Sequence, residues 1–547
     1  MAQRGSHVAV EFNVADLLER VADTVPDHLA LVCAQRRLTY AELDARANRL
    51  AHVLAAHGVG AGDHVALYLY NSTEYLEGML AAFKLRAVPI NVNYRYVEDE
   101  LRYLLDDADA VAVIFHREFA PKLAAIRPTL PRLLTFIAVD DGNTFPGTEL
   151  LADDYDDALA AASPQRDFAP RSPDDLYLLY TGGTTGMPKG VMWRHVDLFF
   201  GAMAGAGGGG TPIRTPEEIA ERCLEARTRC VPICPFMHGT AHWMAFSTLF
   251  MGGTVIIPAE HHLDPIKVWR LVAREQVNFI IIVGDAFARP LLDALNSSEG
   301  RALDVSCLHV VLSGGAILSP SLKRAFVERL PALLVVDGYG ASETGGQGQS
   351  VVVAGADVPK ALRFRVGDDT EVLGPDLRPV GVGVVGRLAR RGHIPLGYYK
   401  DDAKTAATFP VVDGVRWAVP GDHAVVETDG SITLLGRGAV SINTGGEKVY
   451  PEEVESVLKG HTDVFDAVVV GIADERFGER VVAIVQPRPG AEPALDALQQ
   501  HSRVHLAGYK VPREVVLVDA IERSPSGKPD YRWARAVATR TPGTVEA

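Results

Sequence analysis

The sequence predicts an α/β protein: a large N-terminal domain of doubly wound α/β subdomains plus a small β-rich subdomain, followed by a small α+β C-terminal domain. Three observations lead to this prediction. Apolar runs alternate with helical stretches over the first part of the chain, short strands and turns dominate residues 380–437, and a mixed helix and strand pattern fills the rest. Continuous apolar strands separated by helices are typical of a sheet that is covered on both faces.

The first third of the chain contains a helix whose start and end are both marked. Thr39 and Glu42 form a capping-box pattern, apolar residues follow at helical spacing as far as Leu54, and Gly58 fits the helix end. The next segments predict a strand at 64–70, a helix at 73–85 and an extended segment at 87–93.

The middle of the chain repeats this alternation. Residues 277–284, 308–315 and 332–340 are β-branched runs, with helical stretches near 286–296 and 319–330. Two of the three strands end in glycine-rich turns. Ligands of open α/β sheets bind at the carboxyl ends of the strands, so these turns are candidates for a binding site.

A domain boundary is predicted near residue 437. A Gly/Ser/Asn-rich stretch follows Arg437, and Pro451 then opens a helix with Glu452 and Glu453 in its first turn. Strands at 466–471, 481–486 and 514–519 and a helix near 494–505 complete a compact unit. We therefore expect one domain at 1–437 and a second at 438–547.

Composition restricts the function. The 547 residues include 54 basic and 69 acidic side chains, and the net charge of −15 makes nucleic acid an unfavourable main partner. No apolar run approaches the ~18 residues of a transmembrane helix, and the N-terminus lacks a signal-peptide core, so we expect a cytoplasmic protein. Five cysteines fit free thiols in a reducing compartment. A homodimer is compatible with this size.

The segment from Tyr180 to Val191 carries the strongest functional signal. It holds four glycines, three threonines and Lys189, a set that offers backbone N–H groups, hydroxyls and a positive charge to an anion. It is not a Walker A loop, because Lys189 follows Pro188 and precedes Gly190 instead of Ser or Thr. The composition predicts a loop that holds a polyphosphate.

This loop resembles the signature of the adenylate-forming superfamily, which includes acyl-CoA synthetases, luciferases and peptide-synthetase adenylation domains. The resemblance extends over about residues 12–535, and the family usually has Ser where this chain has Gly182. It implies that ATP contacts the loop residues Thr181, Gly182, Gly183, Thr184, Thr185, Gly186 and Lys189, of which Thr185 and Lys189 would act in catalysis.

Further motifs of the family follow in the expected order. Gly314-Gly315-Ala316 resembles the turn between the adenine and acyl pockets, and residues 337–343 resemble the Tyr-Gly-x-Thr-Glu motif. Glu343 would carry Mg²⁺, as a hard carboxylate can. The resemblance assigns further nucleotide contacts to Gly315, Ala316, Asp337, Gly338, Tyr339, Gly340, Ser342, Asp422 and Arg437.

The resemblance also implies a mobile small domain. Ser524 to Lys528 resembles the loop that carries the family's catalytic lysine, and rotation of the small domain would exchange Lys528 for a second face that binds coenzyme A through Gly445, Gly446 and Lys448. The family hinge is usually Asp or Lys, but Val440 stands there. Either Ser441 or Gly438 takes the backbone change, or the rotation differs.

The acyl site is less clearly marked. His238 matches an aromatic or histidine gate, although a histidine that only packs is an equally good interpretation. Trp243 could wall an apolar tunnel, and small residues such as Gly284 and Gly314 leave room for a bulky acyl group. The segments around Met187, His238 and residues 441–448 resemble ligases for long-chain or steroid-side-chain acids.

The resulting hypothesis is an ATP-dependent acid–thiol ligase that uses Mg²⁺ and makes acyl-adenylate and then acyl-CoA from a small-molecule carboxylic acid. A fatty-acyl-AMP ligase that loads a carrier protein is the alternative. A non-catalytic ATP-binding protein is disfavoured by the joint presence of Lys189, Glu343, Asp422, Arg437 and Lys528. A luciferase-type oxygenase is a further, rarer possibility.

Overall fold

A computed structural model describes residues 12–143, 150–181, 187–207, 210–225, 227–356, 358, 362–437, 440–444, 447–474, 478–524 and 527–540, with side chains omitted at 437, 447 and 448. In chain order the elements of the first part are α1 (Val14–Thr24), β1 (Leu29–Cys33), β2 (Arg36–Thr39), α2 (Tyr40–Ala56), β3 (His64–Tyr68), α3 (Thr73–Lys84), β4 (Val88–Asn91), α4 (Glu98–Asp107), β5 (Ala110–His116), α5 (Ala120–Ile126), β6 (Thr135–Val139), β7 (Asp153–Asp154) and α6 (Tyr155–Ala161).

The middle part continues the alternation of strand and helix. Its elements are β8 (Leu176–Thr181), β9 (Lys189–Arg194), α7 (His195–Gly201), α8 (Glu218–Leu224), β10 (Arg229–Pro232), α9 (Gly239–Phe250), β11 (Thr254–Ile257), α10 (Pro265–Glu275), β12 (Phe279–Ile282), α11 (Gly284–Asn296), α12 (Ser298–Ala302), β13 (Val310–Gly314), α13 (Pro320–Arg329) and β14 (Leu334–Ala341).

The last part is richer in strands. It comprises β15 (Gly345–Val352), β16 (Arg363–Val366), β17 (Thr370–Leu373), β18 (Val385–Arg390), β19 (Gly397–Tyr398), α14 (Asp402–Thr408), β20 (Val411–Val412), β21 (Val415–Arg416), β22 (Asp422–Val426), β23 (Ile432–Arg437), β24 (Ile442–Thr444), β25 (Glu447–Val449), α15 (Pro451–Leu458), β26 (Val464–Asp474), β27 (Gly478–Pro487), α16 (Leu495–His505), β28 (Glu514–Leu517) and α17 (Tyr531–Arg540).

The helices begin where local chemistry favours it. Thr39 accepts from the Glu42 N–H while the Glu42 carboxylate accepts from the Thr39 N–H, so the predicted capping box of α2 is confirmed. Pro451 opens α15 at its first position, as predicted, with Glu452 and Glu453 in the first turn.

Two sheets share one apolar core. The first has the order β19-β9-β8-β4-β3-β5-β6-β7, and its strands β4, β3, β5 and β6 pair in parallel. Side chains alternate along β3: Val65 and Leu67 enter the shared core, whereas Ala66 and Tyr68 pack under the outer helices α4 and α5. Helices therefore cover both faces, which confirms the predicted α/β class.

The second sheet lies across the shared core. Its order is β17-β18-β22-β23-β16-β15-β14-β13-β12-β10-β11-β1-β2. Strands β1, β11, β10, β12, β13 and β14 are parallel, and Leu31 and Ile281 face the shared core while Val32 and Ile280 pack against the outer helices.

The β-rich subdomain is not a separate sheet. Antiparallel strands from β15 onward extend the second sheet, and they begin at Gly345 instead of near residue 380. The sequence did not indicate β15 because Gly345-Gly-Gln-Gly-Gln-Ser lacks the apolar and β-branched residues that mark a strand.

The C-terminal part forms its own sheet of β25, β24, β27, β26 and β28, with β24 paired to β27 at Thr444 and Gly478. Helices α15 and α17 pack on opposite faces of it, over two small cores. Within the described part of the chain, no helix is long and apolar enough to span a bilayer.

Candidate active site

A large cavity opens where the carboxyl ends of the two sheets meet. Its volume is about 1120 Å³, and the ends of β8, β13 and β14 line it together with the segment before α17. Ligand pockets typically enclose ~300–1,000 Å³. The space is therefore sufficient for a nucleotide and a second sizeable group together.

Strand β8 delivers Thr181 to the cavity wall. The neighbouring strand places Lys189 directly opposite Thr181, but the Lys189 ammonium group pairs with the Asp401 carboxylate beside α14. The predicted residues Gly182, Gly183, Thr184, Thr185 and Gly186 lie outside the described residues. Thr181 thus marks where the loop leaves the sheet, at the position predicted for a phosphate loop.

The turn after β13 supplies two glycines. Gly314 and Gly315 line the cavity, and Gly315 has φ +87°, a conformation that favours glycine. Gly284 packs behind this turn, because a Cβ added there would lie 2.5 Å from the Ile317 carbonyl oxygen. Ala316 and Gly284 therefore shape the turn without contributing to the cavity wall as it is described.

Strand β14 presents the segment Gly338 to Ser342 to the cavity, including Tyr339 and Gly340. Asp337 faces the opposite side and pairs with Lys323 of α13 at 2.5 Å. Consecutive residues of a strand point to opposite faces of the sheet, so the side chain of Asp337 lies on the face opposite to that of Gly338. Burial raises the pKa of Asp337 to about 6, although Lys323 opposes the shift.

Glu343 and Asp422, predicted to hold Mg²⁺ and the nucleotide, are not among the described residues that line the cavity, whereas Ser342 is. Glu343 accepts a hydrogen bond of 2.8 Å from the Tyr398 hydroxyl, and Ser342 uses its carbonyl to accept from the Trp193 indole. Asp422 is buried at the start of β22, opposite Arg437 in register. The side chains of Arg437 and Lys448, and all of Gly445 and Gly446, lie outside the described residues.

The acyl-site candidates His238 and Trp243 both line the cavity at the start of α9. The His238 Nε2 atom is enclosed and has no hydrogen-bond partner among the described residues. Burial, followed by the positive charge of Lys528, lowers the pKa of His238 to about 3. A buried ring nitrogen without a hydrogen-bond partner, in a residue that lines the cavity, is unusual for a histidine that only packs.

Lys528 enters the cavity from the small domain. Its turn is closed by hydrogen bonds from Ser524 N to the Lys528 carbonyl (2.8 Å) and from Lys528 N to Ser524 Oγ (3.2 Å). The cation thus lies in the same space as Thr181, His238 and the Gly338–Ser342 segment. A cation held there can neutralise charge that develops on a phosphoryl group.

A long arm of the cavity runs under α9. Met244, Thr248 and Met251 line its helix side, and Phe279, Val310 and Leu334 line its sheet side. The last three lie at the starts of β12, β13 and β14, so the arm extends the length of these strands. Exposed Arg227 and His309 line its far end.

Sequence reasoning missed Asn91, which connects both halves of the site. Its amide nitrogen donates to the carbonyls of Tyr180 (2.9 Å) and Met237 (2.7 Å), and its oxygen accepts from Tyr180 N. It thereby fixes the end of β8 relative to the segment before His238. An asparagine at the end of an otherwise apolar buried strand was the available signal.

Comparisons with known proteins agree with this geometry. Residues 18–399 match the AMP-binding enzyme family, and residues 453–528 match the C-terminal domain of AMP-binding enzymes. The chain is similar in fold to the anthranilate CoA ligase AuaEII solved with anthranoyl-AMP, with a TM-score of 0.84, 23% identity, and coverage of 98% of this chain and 99% of that one.

Two relatives are more similar in sequence. The 3-oxocholest-4-en-26-oate–CoA ligase of Rhodococcus rhodochrous is 48% identical over 535 residues, covering 96% of this chain and 95% of that protein. The medium/long-chain-fatty-acid–CoA/3-oxocholest-4-en-26-oate–CoA ligase of Mycolicibacterium smegmatis is 47% identical over 542 residues, covering 97% of both.

Proposed function

The chain belongs to the AMP-binding enzyme family, and from this premise we propose that it is an ATP-dependent ligase that converts a carboxylic acid into an acyl-adenylate and then into an acyl-CoA. One observation carries the proposal: Lys528 of the small domain lines the same cavity as Thr181 and the Gly338–Ser342 segment of the large domain. A cation, a phosphate-loop strand and a glycine-rich strand end are the groups that nucleotide activation of an acid requires.

In the first half-reaction an oxygen of the carboxylate attacks the α-phosphorus of ATP, and pyrophosphate leaves. Charge on the transferring phosphoryl group must be stabilised, which preorganised donors and cations do most effectively. Lys528 and Thr181 line the cavity together, which supports the proposal that Lys528 acts in this role. Mg²⁺ would be held by Glu343, whose hard carboxylate suits it, and would supply further charge neutralisation.

In the second half-reaction the thiol of coenzyme A attacks the acyl carbon, loses its proton, and expels AMP. We propose that domain 438–547 rotates against domain 1–437, with the change of backbone angles near Val440. Gly445, Gly446 and Lys448 would then line the path of the thiol. The small domain's separate sheet and cores are compatible with movement as one unit.

The acid is proposed to be long-chain, branched or a steroid-side-chain acid. The arm under α9 is lined largely by apolar side chains and extends the length of three strands. The printed names of the two relatives, a 3-oxocholest-4-en-26-oate–CoA ligase and a medium/long-chain-fatty-acid–CoA ligase, support the same substrate class.

The decisive experiment supplies the purified protein with ATP, Mg²⁺ and a panel of acids, with and without coenzyme A. Thioester formation from decanoate, palmitate and 3-oxocholest-4-en-26-oate, with little from acetate, is the expected result. AMP release that does not need coenzyme A, without thioester, would contradict the proposal. Transfer to a carrier protein in place of coenzyme A would support the fatty-acyl-AMP ligase alternative.

A further inference from the structure

Helix α11 presents a stripe of charged side chains to the small domain. Asp285, Arg289 and Asp293 recur every four residues and therefore share one helix face. Asp285 lies 3.8 Å from the Lys459 ammonium group, and Asp293 lies 4.0 Å from Arg488. These contacts show that α11 is one of the parts of the large domain against which the small domain packs.

The inner part of this stripe is buried. The side chains of Asp285 and Lys459 are 5% and 3% exposed. Arg289 donates to the Lys459 carbonyl at 3.4 Å and covers the Phe465 ring at 5.7 Å. Asp285 also accepts from the Ser319 backbone N–H at 2.7 Å, which fixes its carboxylate on the large domain. Buried charges need partners of opposite sign, so the two domains depend on each other here.

The contacts continue from Lys459 to the turn that carries Lys528. Lys459 is 3.4 Å from Asp466, and the Asp466 carboxylate accepts two hydrogen bonds of 2.7 Å from Arg523. Arg523 in turn donates to the Gly527 carbonyl at 2.9 Å, next to Lys528. An alternating series of charges thus leads from a helix of the large domain to the residue that precedes Lys528.

The same turn also touches the start of α11 directly. Gly527 has φ +74°, and a Cβ added to it would lie 3.2 Å from the Val283 carbonyl oxygen. Val283 is the N-cap residue of α11, two residues before Asp285, and it lines the cavity. The start of the helix therefore contacts the Lys528 turn at Val283 and the ionic series at Asp285, two residues further along.

We propose that Asp285, Lys459, Asp466 and Arg523 are positioning residues that hold Lys528 in the cavity for the first half-reaction. This proposal rests on the proposed acyl-CoA ligase function. Because the Asp285–Lys459 contact joins the two domains, it exists only while Lys528 is in place and separates when the small domain rotates. Its loss therefore slows adenylation and leaves thioester formation intact.

Asp285→Asn tests this assignment. Asparagine keeps an oxygen for the Ser319 N–H but removes the charge that Lys459 meets. We expect pyrophosphate release in a single turnover without coenzyme A to slow ~100-fold, since displacement of a catalytic group by about 1 Å can cost that factor. Conversion of supplied acyl-adenylate and coenzyme A to thioester should stay within about twofold of the unmodified protein.

Arg270→Gln is the control. It removes a charge from an exposed ion pair between α10 and α12, where Arg270 contacts Glu299. Neither half-reaction should change by more than about twofold. A double-mutant cycle with Lys459→Met isolates the contact: once Lys459 is replaced, adding Asp285→Asn should have little further effect. Full additivity of the two changes would overturn the proposal.

Arg523→Lys probes the other end of the series. Lysine keeps the charge but cannot bind both Asp466 oxygens and the Gly527 carbonyl together. Adenylation should again fall while thioester formation persists. Equal losses in both half-reactions, or no loss in either, would overturn the positioning role. An unmodified protein that makes no acyl-CoA from any acid would instead refute the proposed function itself.

Discussion

At the scale of single residues, chemistry in this protein depends on which face of an element carries each group. Lys528 and His238 both line the cavity. Lys189 instead forms an ion pair with Asp401, and Asp337 forms one with Lys323. The Lys323–Asp337 pair is buried, whereas the Lys189–Asp401 pair is partly exposed. The cavity lining therefore includes a cation, Lys528, that a different domain supplies.

Lys528→Ala is expected to slow the first half-reaction selectively. Removing one stabilising donor typically lowers a rate ~10²–10³-fold, and pyrophosphate release should fall by that factor. Thioester formation from supplied acyl-adenylate should continue, because the proposed rotation removes Lys528 before the thiol attacks. Lys267→Ala, which removes an exposed pair with Glu260, is the control. Equal loss of both half-reactions would contradict the assignment.

Buried histidines predict how stability depends on pH. Burial lowers the pKa of His195 and His242 to about 4, and His242 is satisfied as a neutral ring between the Tyr177 hydroxyl and the Phe236 carbonyl. In the unfolded chain these histidines bind a proton near pH 6.5. Their contribution to the free energy of unfolding is therefore fully present above pH 6.5 and is lost as the pH falls toward 4. Each histidine contributes a slope of about 1.4 kcal/mol per pH unit.

Urea unfolding of His242→Gln between pH 7.5 and 4.5 measures this effect. The variant should be less stable at pH 7.5 yet lose stability less steeply as pH falls. His57→Gln, at an exposed position, should keep the full slope. A slope that His242→Gln leaves unchanged would show that another group controls the acid sensitivity.

The residue scale also shows how far sequence reasoning reaches. Gly314, Gly315 and the Gly338–Ser342 segment could be placed at the cavity because they end buried strands. Asp337 was assigned to the nucleotide by its motif and Gly284 to the acyl site by its small size. Asp337 pairs with Lys323 and Gly284 packs against the Ile317 carbonyl, and neither is among the described residues that line the cavity. Asn91 went unnoticed because its contacts join segments far apart in the chain.

At the scale of elements, regular segments were predictable and glycine-rich ones were not. The capping box of α2 and the proline start of α15 lie within a few residues and follow from local chemistry. Strand β15 owes its existence to pairing with β14 and β16, which no local pattern encodes. The docking face of α11 likewise became visible only when the small domain was beside it.

The end of β23 is expected to favour glycine at position 436. Gly436 has φ +114°, and an added Cβ would overlap the Glu452 carboxylate of α15. Gly436→Ala should therefore displace the Glu452 side chain at the contact between β23 and α15, lower the unfolding midpoint and slow both half-reactions. Gly430→Ala is the control, because Gly430 also has positive φ (+78°) but open space around it. Equal effects of the two changes would mean that only backbone strain matters.

At the scale of the whole molecule, the two large sheets and the small domain all contribute to the lining of one cavity. The two large sheets share a core and point their carboxyl ends to the cavity, and the small domain adds a turn from the side. Sequence reasoning predicted the α/β class and the order of parts, because these follow from alternation along the chain. It could not predict that the β-rich strands would extend the second sheet, because that depends on the β16–β23 pairing.

The far end of the cavity arm predicts how the rate depends on the chain length of the proposed acid substrate. Leu334 is 40% exposed there, and Arg227 and His309 are also exposed, so the ω-end of a long acid in the arm would meet water instead of a wall. Each methylene within the arm should contribute about 0.8 kcal/mol, close to a fourfold gain in kcat/KM. Beyond the opening the gain should stop without a penalty. A homologous series of fatty acids should therefore give a rising line and then a plateau, and a sharp decline at one chain length would reveal a closed end.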